Sequence, residues 1–111
     1  MDCYTEDGIH AIHRLYGGAE VRAAGREELL HFVREHFAKQ PKYRKHLMAK
    51  PRIKINGKKA TVESVFVVVS ERDDQVRISS FGHYVDELVK CPDGVWRFTL
   101  HGVNVEGRTK A

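Results

Sequence analysis

The Asn56-Gly57 dipeptide constrains the fold of this chain more than any other short stretch. It lies between residues 47–55, where cations alternate with apolar residues, and the most apolar run of the chain, residues 62–69. Asn-Gly between two strand-like stretches is the strongest local signal for a β-hairpin turn, since both residues tolerate positive φ. The sequence therefore predicts an antiparallel hairpin. Its second strand is predicted to be central and covered on both sides, because both of its alternating faces are mostly apolar.

One helix and one earlier strand are predicted upstream of the hairpin. Residues 9–16 alternate as a strand does, with one face made of His10, Ile12, Arg14 and Tyr16, and Gly17-Gly18 ends the pattern. After Gly25, a possible N-cap, apolar residues recur at helical spacing as far as Gln40-Pro41. The helix is therefore expected to be amphipathic and to lie on a sheet.

Two further strands complete the predicted fold. Residues 75–90 form one long strand-like run, and Trp96, Phe98 and Leu100 line one face of the last strand. With 111 residues there is room for one modest core, so residues 1–111 are predicted to form a single domain. About residues 1–8 form a lead-in segment and residues 106–111 a flexible tail. The predicted class is α+β, a strongly curved, mostly antiparallel sheet with helix on one face.

The chain has a net charge of +4, and its positive charge is concentrated in one segment. Residues 39–59 contain nine cations and no Asp or Glu. Lys50, Arg52 and Lys54 alternate there with Pro51 and two isoleucines, which favours the solvated face of a strand. Only Tyr43 among the aromatics lies in this block, whereas single-strand binders usually combine several stacking rings with their cations. Nucleic acid is therefore not expected as a partner, although anion or nucleic-acid binding through residues 39–59 is kept as a third function.

Several other classes are disfavoured by composition and spacing. No apolar run approaches the ~18 residues of a membrane span, and the first residues lack the pattern of a secretory signal, so a cytoplasmic protein without membrane contact is expected. Cys3 and Cys91 have no metal or redox spacing, and His10 and His13 would face opposite sides of a strand. No glycine-rich loop carries a nucleotide fingerprint. We therefore expect neither a metal nor a cofactor.

Four short motifs, in order along the chain, carry a resemblance to a known family. Residues 82–89, GHYVDELV, followed by residues 92–98, PDGVWRF, resemble the glycine, tyrosine, aspartate and DG-x-W pattern that closes SnoaL-like proteins. Residues 3–7, CYTED, resemble the aromatic-Thr-x-Asp start of the first strand, and residues 25–29, GREEL, resemble the family's helix start. His46 stands where many members keep a histidine. SnoaL-like proteins belong to the nuclear transport factor 2-like superfamily, with scytalone dehydratase and ketosteroid isomerases.

The resemblance implies a cone: a curved sheet wrapped around helices, with an apolar pocket. N-terminal helices that partly cover the pocket in the family are expected to be missing or shortened here. Members that are enzymes use the pocket for proton transfers on hydrophobic substrates, as dehydratases, isomerases, cyclases or hydrolases, and others have no known chemistry. The aspartate that orients the matching histidine in scytalone-dehydratase-like members lies on such a helix, and no residue here occupies its position.

The candidate catalytic residues are His46 as a base, Asp86 or Glu63 as its orienting carboxylate, and Tyr84 as a hydrogen-bond donor. Tyr84 and Asp86 share one face of a strand, whereas His83 and Glu87 share the other, and either pair could face the pocket. The substrate-binding residues are expected to be Tyr4, Tyr16, Met48, Phe66, Val68, His83, Trp96 and Phe98. Pro51 predicts a bulge that leaves His46 and Met48 inside and Lys50, Arg52 and Lys54 outside. The remaining histidines, His101 and His10 among them, are read as exposed.

The leading hypothesis is a SnoaL-like pocket protein for a small hydrophobic, partly oxygenated molecule, with dehydratase- or isomerase-type acid–base chemistry left open. The runner-up is a non-enzymatic oligomerisation or accessory subunit, because superfamily members commonly pair through the outer sheet face. A homodimer through that face is expected in either case.

Overall fold

The computed structural model describes residues 3–18, 20–39 and 43–109, which form one sheet and one helix. The elements are β1 (Tyr4–Arg14), β2 (Val21–Ala24), α1 (Arg26–Lys39), β3 (Tyr43–Asn56), β4 (Lys59–Arg72), β5 (Gln75–Lys90) and β6 (Trp96–Arg108). The six strands follow the order β2-β1-β6-β5-β4-β3, and every neighbouring pair is antiparallel except β1 and β6. The predicted α+β class, with a curved and mostly antiparallel sheet, is confirmed.

The hairpin predicted from Asn56-Gly57 joins β3 to β4. Asn56 pairs with Lys59, and Gly57 adopts a φ of 62°, the left-handed conformation that glycine accepts without strain. A second tight turn, at Asp73-Asp74, joins β4 to β5, and both aspartates have positive φ, as a type I′ hairpin turn requires. Local turn chemistry thus fixes the order of β3, β4 and β5 in the sheet.

The helix begins where the sequence indicates. Gly25 has a φ of 84° and its carbonyl accepts the first helical hydrogen bond, from the Leu29 amide at 3.0 Å. Glu27 and Glu28 lie in the first turn, where a carboxylate interacts favourably with the helix dipole. The predicted end at Gln40-Pro41 lies outside the described residues. Leu29 is fully buried, and α1 packs on β1 and β2.

The position of α1 explains why one prediction about β4 is wrong. β4 lies between β3 and β5, as expected of a central strand, but only one of its faces is buried. Ser64, Phe66 and Val68 are buried on the concave face, whereas Val65 is exposed on the convex face. Within the described residues the helix covers only the β1 and β2 end of the concave face, and nothing covers the convex face.

The bulge predicted at Pro51 is present. The register passes from Ala49 opposite Val65 to Arg52 opposite Glu63, so Lys50 and Pro51 share a single partner position on β4. Lys50 takes a φ of 52° at this point. Because of the extra residue, the even-numbered Arg52 lies on the exposed convex face, opposite Glu63. Before the bulge, even-numbered residues such as Met48 lie on the concave face.

The last strand is longer than the sequence indicated. β6 extends to Arg108, with Gly107 opposite Phe81, and the Thr109 amide donates to the Ser79 carbonyl at 2.9 Å. The expected tail is therefore wrong for residues 106–109, since the long β5 pairs with this segment, with Glu106 as an unpaired residue at a register shift. Lys110 and Ala111, the rest of that tail, lie outside the described residues. No helix within the described part of the chain is long and apolar enough to cross a membrane.

Candidate functional site

A cavity of about 670 Å³ lies between α1 and the concave face of the sheet. Phe66 and Val68 on β4 form its apolar floor and are almost completely buried. Tyr16, just after β1, and Arg108, at the end of β6, are exposed and form its mouth. The site is therefore open at the end where β1 and β6 stop.

A carboxylate and an imidazole meet at the inner end of this cavity. Asp86 on β5 pairs in register with His101 on β6, so both side chains leave the sheet on the concave face. Oδ1 of Asp86 is 2.6 Å from Nδ1 of His101, and the carboxylate is buried. A carboxylate can only accept, so Nδ1–H donates to Asp86 and Nε2 becomes the ring atom that can exchange a proton. The predicted orienting carboxylate thus contacts His101, not His46.

Tyr84 and His46 form a second polar pair on the cavity wall. The Tyr84 hydroxyl lies 3.4 Å from Nδ1 of His46, and the Tyr84 ring stacks on Phe66 at 4.5 Å between centroids. Burial and the nearby charge of Asp86 raise the pKa of Tyr84. Burial and the nearby charge of Arg44 lower the pKa of His46. Both groups are therefore neutral near pH 7, and the tautomer of His46 decides whether the phenol or Nδ1–H is the donor.

Tyr4 and His10 form a third pair, beside the Asp86 and His101 pair. The Tyr4 hydroxyl is 3.0 Å from Nδ1 of His10. Burial, followed by the charge of Asp86, raises the pKa of Tyr4 to about 12. Burial, followed by the charge of His101, lowers the pKa of His10 to about 4. The pair is neutral, and the His10 ring bridges Phe32 of α1, at 4.8 Å, and His101, at 5.2 Å.

Positive charge surrounds the outer part of the cavity. Among the described residues that line it, three are arginines, Arg14, Arg44 and Arg108, and Glu35 is the only carboxylate. The Arg108 guanidinium lies 4.3 Å above the Tyr16 ring. Arg44 is only partly exposed, and burial lowers its pKa. The cavity therefore has a cationic mouth and a buried carboxylate beneath its inner end.

Five of the side chains predicted to form the site line the cavity: Tyr16, His46, Phe66, Val68 and Tyr84. Tyr4 and Phe98 do not line the cavity but contact residues that do. The Tyr4 hydroxyl forms a hydrogen bond with His10, and the Phe98 ring is 5.0 Å from the His101 ring. The sequence left open which face of residues 82–90 is turned toward the pocket. In the structure Tyr84 and Asp86 lie on the concave face.

Besides Tyr4 and Phe98, three more of the predicted substrate-binding residues do not line the cavity. Met48 shares the concave face with its partner Phe66 but is 61% exposed, because β3 is the edge strand and α1 does not reach it. His83 faces the convex side, where Nδ1 lies 3.3 Å from the Glu106 carboxylate. Trp96 is half-buried beside Lys90, at the end of the β5 and β6 ladder remote from the cavity.

His101 and His10 are the principal residues that the sequence analysis missed, since both were read as exposed. For His10 the signal was present, because alternation along β1 puts it on the face shared by Ile12, Arg14 and Tyr16, all of which line the cavity. His101 could not be found in this way, because its partner Asp86 is set by the register between β5 and β6. Among the described residues, no group of three or more His, Cys, Asp or Glu is arranged to hold a metal ion.

Comparison with known proteins gives the same fold. A family model described as a SnoaL-like domain matches residues 1–100. No curated protein sequence matches the chain. Among solved structures, a protein from Novosphingobium aromaticivorans assigned as the beta subunit of an aromatic-ring-hydroxylating dioxygenase superposes with a TM-score of 0.82 at 19% identity, over 99% of this chain and 76% of that one.

Two further structures extend this comparison. An NTF2-like protein with a cystatin-like fold, also from Novosphingobium aromaticivorans, has a TM-score of 0.77 and 20% identity, over 94% of this chain and 65% of that one. A protein from Catenulispora acidiphila, solved in complex with S-DNPA, has a TM-score of 0.77 and 23% identity, over 94% of this chain and 74% of that one. At these identities the structures establish a shared fold.

Proposed function

The chain belongs to the SnoaL-like domain family, and on that basis we propose that it binds a small hydrophobic, partly oxygenated molecule and transforms it by acid–base chemistry of the lyase or isomerase type. The observation that carries this proposal is the contact between Asp86 and His101, 2.6 Å long and placed at the inner end of an apolar cavity. An imidazole held in one tautomer by a buried carboxylate is the arrangement that general acid–base catalysis uses.

The size and lining of the cavity support a small-molecule ligand. A volume of about 670 Å³ lies within the range of ~300 to 1,000 Å³ that is usual for ligand pockets. Phe66 and Val68 supply apolar contact, and the Tyr84 ring stacked on Phe66 extends a flat aromatic wall. A protein of the same fold has been solved in complex with S-DNPA, which supports a ligand-binding role for this fold.

In the proposed reaction, Nε2 of His101 removes a proton from a carbon next to a carbonyl group of the ligand. The electron pair of the C–H bond moves toward the carbonyl oxygen and forms an enolate. Asp86 accepts the Nδ1–H bond and stabilises the imidazolium that results. His101 then returns the proton, either to another carbon, which gives an isomer, or to a departing hydroxyl, which leaves as water.

Tyr84 is proposed to stabilise the enolate oxygen. Its raised pKa keeps the phenol protonated, so it can donate a hydrogen bond where negative charge develops. In the neutral tautomer that carries its proton on Nδ1, His46 donates to the same hydroxyl oxygen at 3.4 Å, so the single phenol proton stays available for the enolate. In this proposal His101, rather than His46, acts as the base, because Asp86 orients His101.

Ligand-induced stabilisation followed by turnover tests the proposal. Thermal unfolding is measured with sterols, terpenoids and polyketide-like phenols, since a ligand at 100 times its Kd adds about 2.7 kcal/mol. Turnover of the stabilising class is then compared among wild type, Asp86→Asn and His101→Gln, with an expected loss of about 10²- to 10⁴-fold. The control is His83→Gln, which removes a similar histidine–carboxylate contact on the convex face. Full turnover in His101→Gln would refute the chemistry, and no stabilisation by any class would refute the binding.

The convex face favours a second candidate, association with another copy of the chain. Leu47, Val65, Ile78 and Phe81 are large apolar side chains on this face, between 43% and 57% exposed. Leu47 and Phe81 both pair with Val67, and Ile78 pairs with the neighbouring Val69, so the residues form one continuous surface. We call these six residues the convex patch. Contiguous apolar surface of this kind usually marks an interface, so we propose a homodimer through the convex patch.

A further inference from the structure

We propose that the ligand of the cavity carries an anionic group, most simply a carboxylate, which Arg44 binds while the reacting carbon lies near His101. This inference rests on the proposed function, because it specifies the ligand of the same cavity. It follows from the way charge is distributed along the cavity.

The charges on the lining differ between its two ends. Asp86 is buried beneath the inner end, against His101, and Arg14, Arg44 and Arg108 line the outer part. Glu35, the carboxylate among the described lining residues, lies on α1 with Oε1 4.0 Å from Nε2 of His31. An anionic group on the ligand is therefore repelled by Asp86 and attracted by the arginines, which orients the molecule along the cavity.

Arg44 is the arginine best placed to receive such a group. It is an inner-facing residue near the start of β3, only two residues from His46, and it is partly buried. Among the described residues, no carboxylate lies within ion-pair distance of its guanidinium. Removing a cation from water without a partner is unfavourable, and burial does lower the pKa of Arg44. A ligand carboxylate would supply the missing partner.

The groups around Arg44 suit an anion rather than a cation. His46 and His36 both line the cavity, and burial, followed by the charge of Arg44, lowers the pKa of each. Both are therefore neutral imidazoles and do not compete with Arg44 as positive charges for an anionic group. A guanidinium also binds a carboxylate through two parallel hydrogen bonds, which fixes the orientation of the bound group.

The test compares a charged and an uncharged probe that share one ring system, 2-naphthoate and its methyl ester. Binding of each is measured by calorimetry to wild type, Arg44→Met and Arg44→Lys. The control is Lys45→Met, because Lys45 is the adjacent residue of β3 and points to the exposed convex face. The unfolding midpoint of every variant is recorded, so that a folding defect is not read as a loss of affinity.

We expect wild type to bind 2-naphthoate about tenfold more tightly than the ester, because a charge-assisted pair contributes more than a neutral contact. Arg44→Met should remove most of this preference without weakening the ester, Arg44→Lys should keep part of it, and Lys45→Met should keep all of it. Equal affinity for the two probes in wild type would overturn this inference alone, as would a preference that survives in Arg44→Met. Failure of both probes to bind would overturn the proposed ligand cavity and this inference with it.

Discussion

Asp86 on β5 and His101 on β6 lie directly opposite each other, with Oδ1 of the carboxylate 2.6 Å from Nδ1 of the imidazole. The pair is largely buried, and the side chain of Asp86 is only 8% exposed. A cross-strand pair of this kind stabilises the register of the two strands as well as the tautomer of the histidine. The contact should therefore contribute to the free energy of unfolding, and this contribution can be measured independently of any reaction.

A double-mutant cycle measures the contribution of this contact to the free energy of unfolding. We expect Asp86→Ala and His101→Ala to show a coupling energy of about 1 to 3 kcal/mol, because each substitution alone leaves a buried polar group without its partner. Urea unfolding of the single and double variants gives the value. The convex pair His83 and Glu106 serves as the control, and its coupling should be below about 1 kcal/mol, as is usual for exposed pairs. Equal coupling in the two pairs would contradict the assignment of a special role to Asp86.

His10 should make the fold sensitive to mild acid. Its pKa of about 4 in the folded chain lies below the usual value of 6.5, so the unfolded chain takes up a proton that the folded chain cannot. Stability is full above pH 6.5 and falls as the pH drops toward 4, by on the order of 3 kcal/mol from this group. His36 and His46, whose pKa values are also lowered, add to the slope in the same direction.

His10→Gln should reduce this pH dependence. The measurement is the free energy of unfolding in urea at pH 7.0, 6.0, 5.0 and 4.5 (about half-unit to one-unit steps across the titration). The control is His31→Gln, which changes a histidine on the exposed face of α1 and should leave the slope as in wild type. If His10→Gln loses stability with acid as steeply as wild type does, then His10 is not the buried neutral group described above.

Gly82 should not tolerate a side chain. A Cβ at this position would overlap the carbonyl oxygen of Asn104 on β6 and press on the Phe66 ring of the cavity floor. We expect Gly82→Ala to cost about 1 to 3 kcal/mol, because strand β6 has to move. Gly94→Ala is the matched control, since that glycine has positive φ but nothing within 4 Å. Chemical unfolding should show the larger loss in Gly82→Ala, and the reverse order would mean that the β5 and β6 approach is looser than described.

The sequence predicted those parts of the fold that depend on local chemistry. Asn56-Gly57 specifies its turn whatever surrounds it, and Gly25 with two glutamates specifies the start of α1 in the same way. The bulge at Pro51 was also predictable, because proline cannot donate to the strand ladder. The sequence did not predict that only one face of β4 is buried. That outcome depends on where α1 lies, and α1 contacts strands distant from β4 in the sheet.

The site was predicted less completely than the fold, for a related reason. Tyr84 and Asp86 were recognised from their own strand, but the partner of Asp86 depends on a ladder whose register shifts twice, near Gly82 and near Leu88. A shift of one residue turns every following side chain to the other face. His101 was therefore misread as exposed, and Asp86 was given the wrong histidine. Arg44 was seen only as part of a charged block, because nothing local distinguishes it from Lys45.

The convex patch should carry the proposed association. Phe81→Glu places a charge at its centre, and we expect the dimer to weaken by at least about tenfold, because an unpaired charge would be buried in the contact. Sedimentation equilibrium measures the change. Ile55→Glu is the matched control, since Ile55 is at least as exposed but lies on the concave side of β3, beyond the cavity. A chain that is monomeric as wild type, or a Phe81→Glu variant that associates as wild type does, would contradict the interface, whereas selective loss in Phe81→Glu would assign it to the convex face.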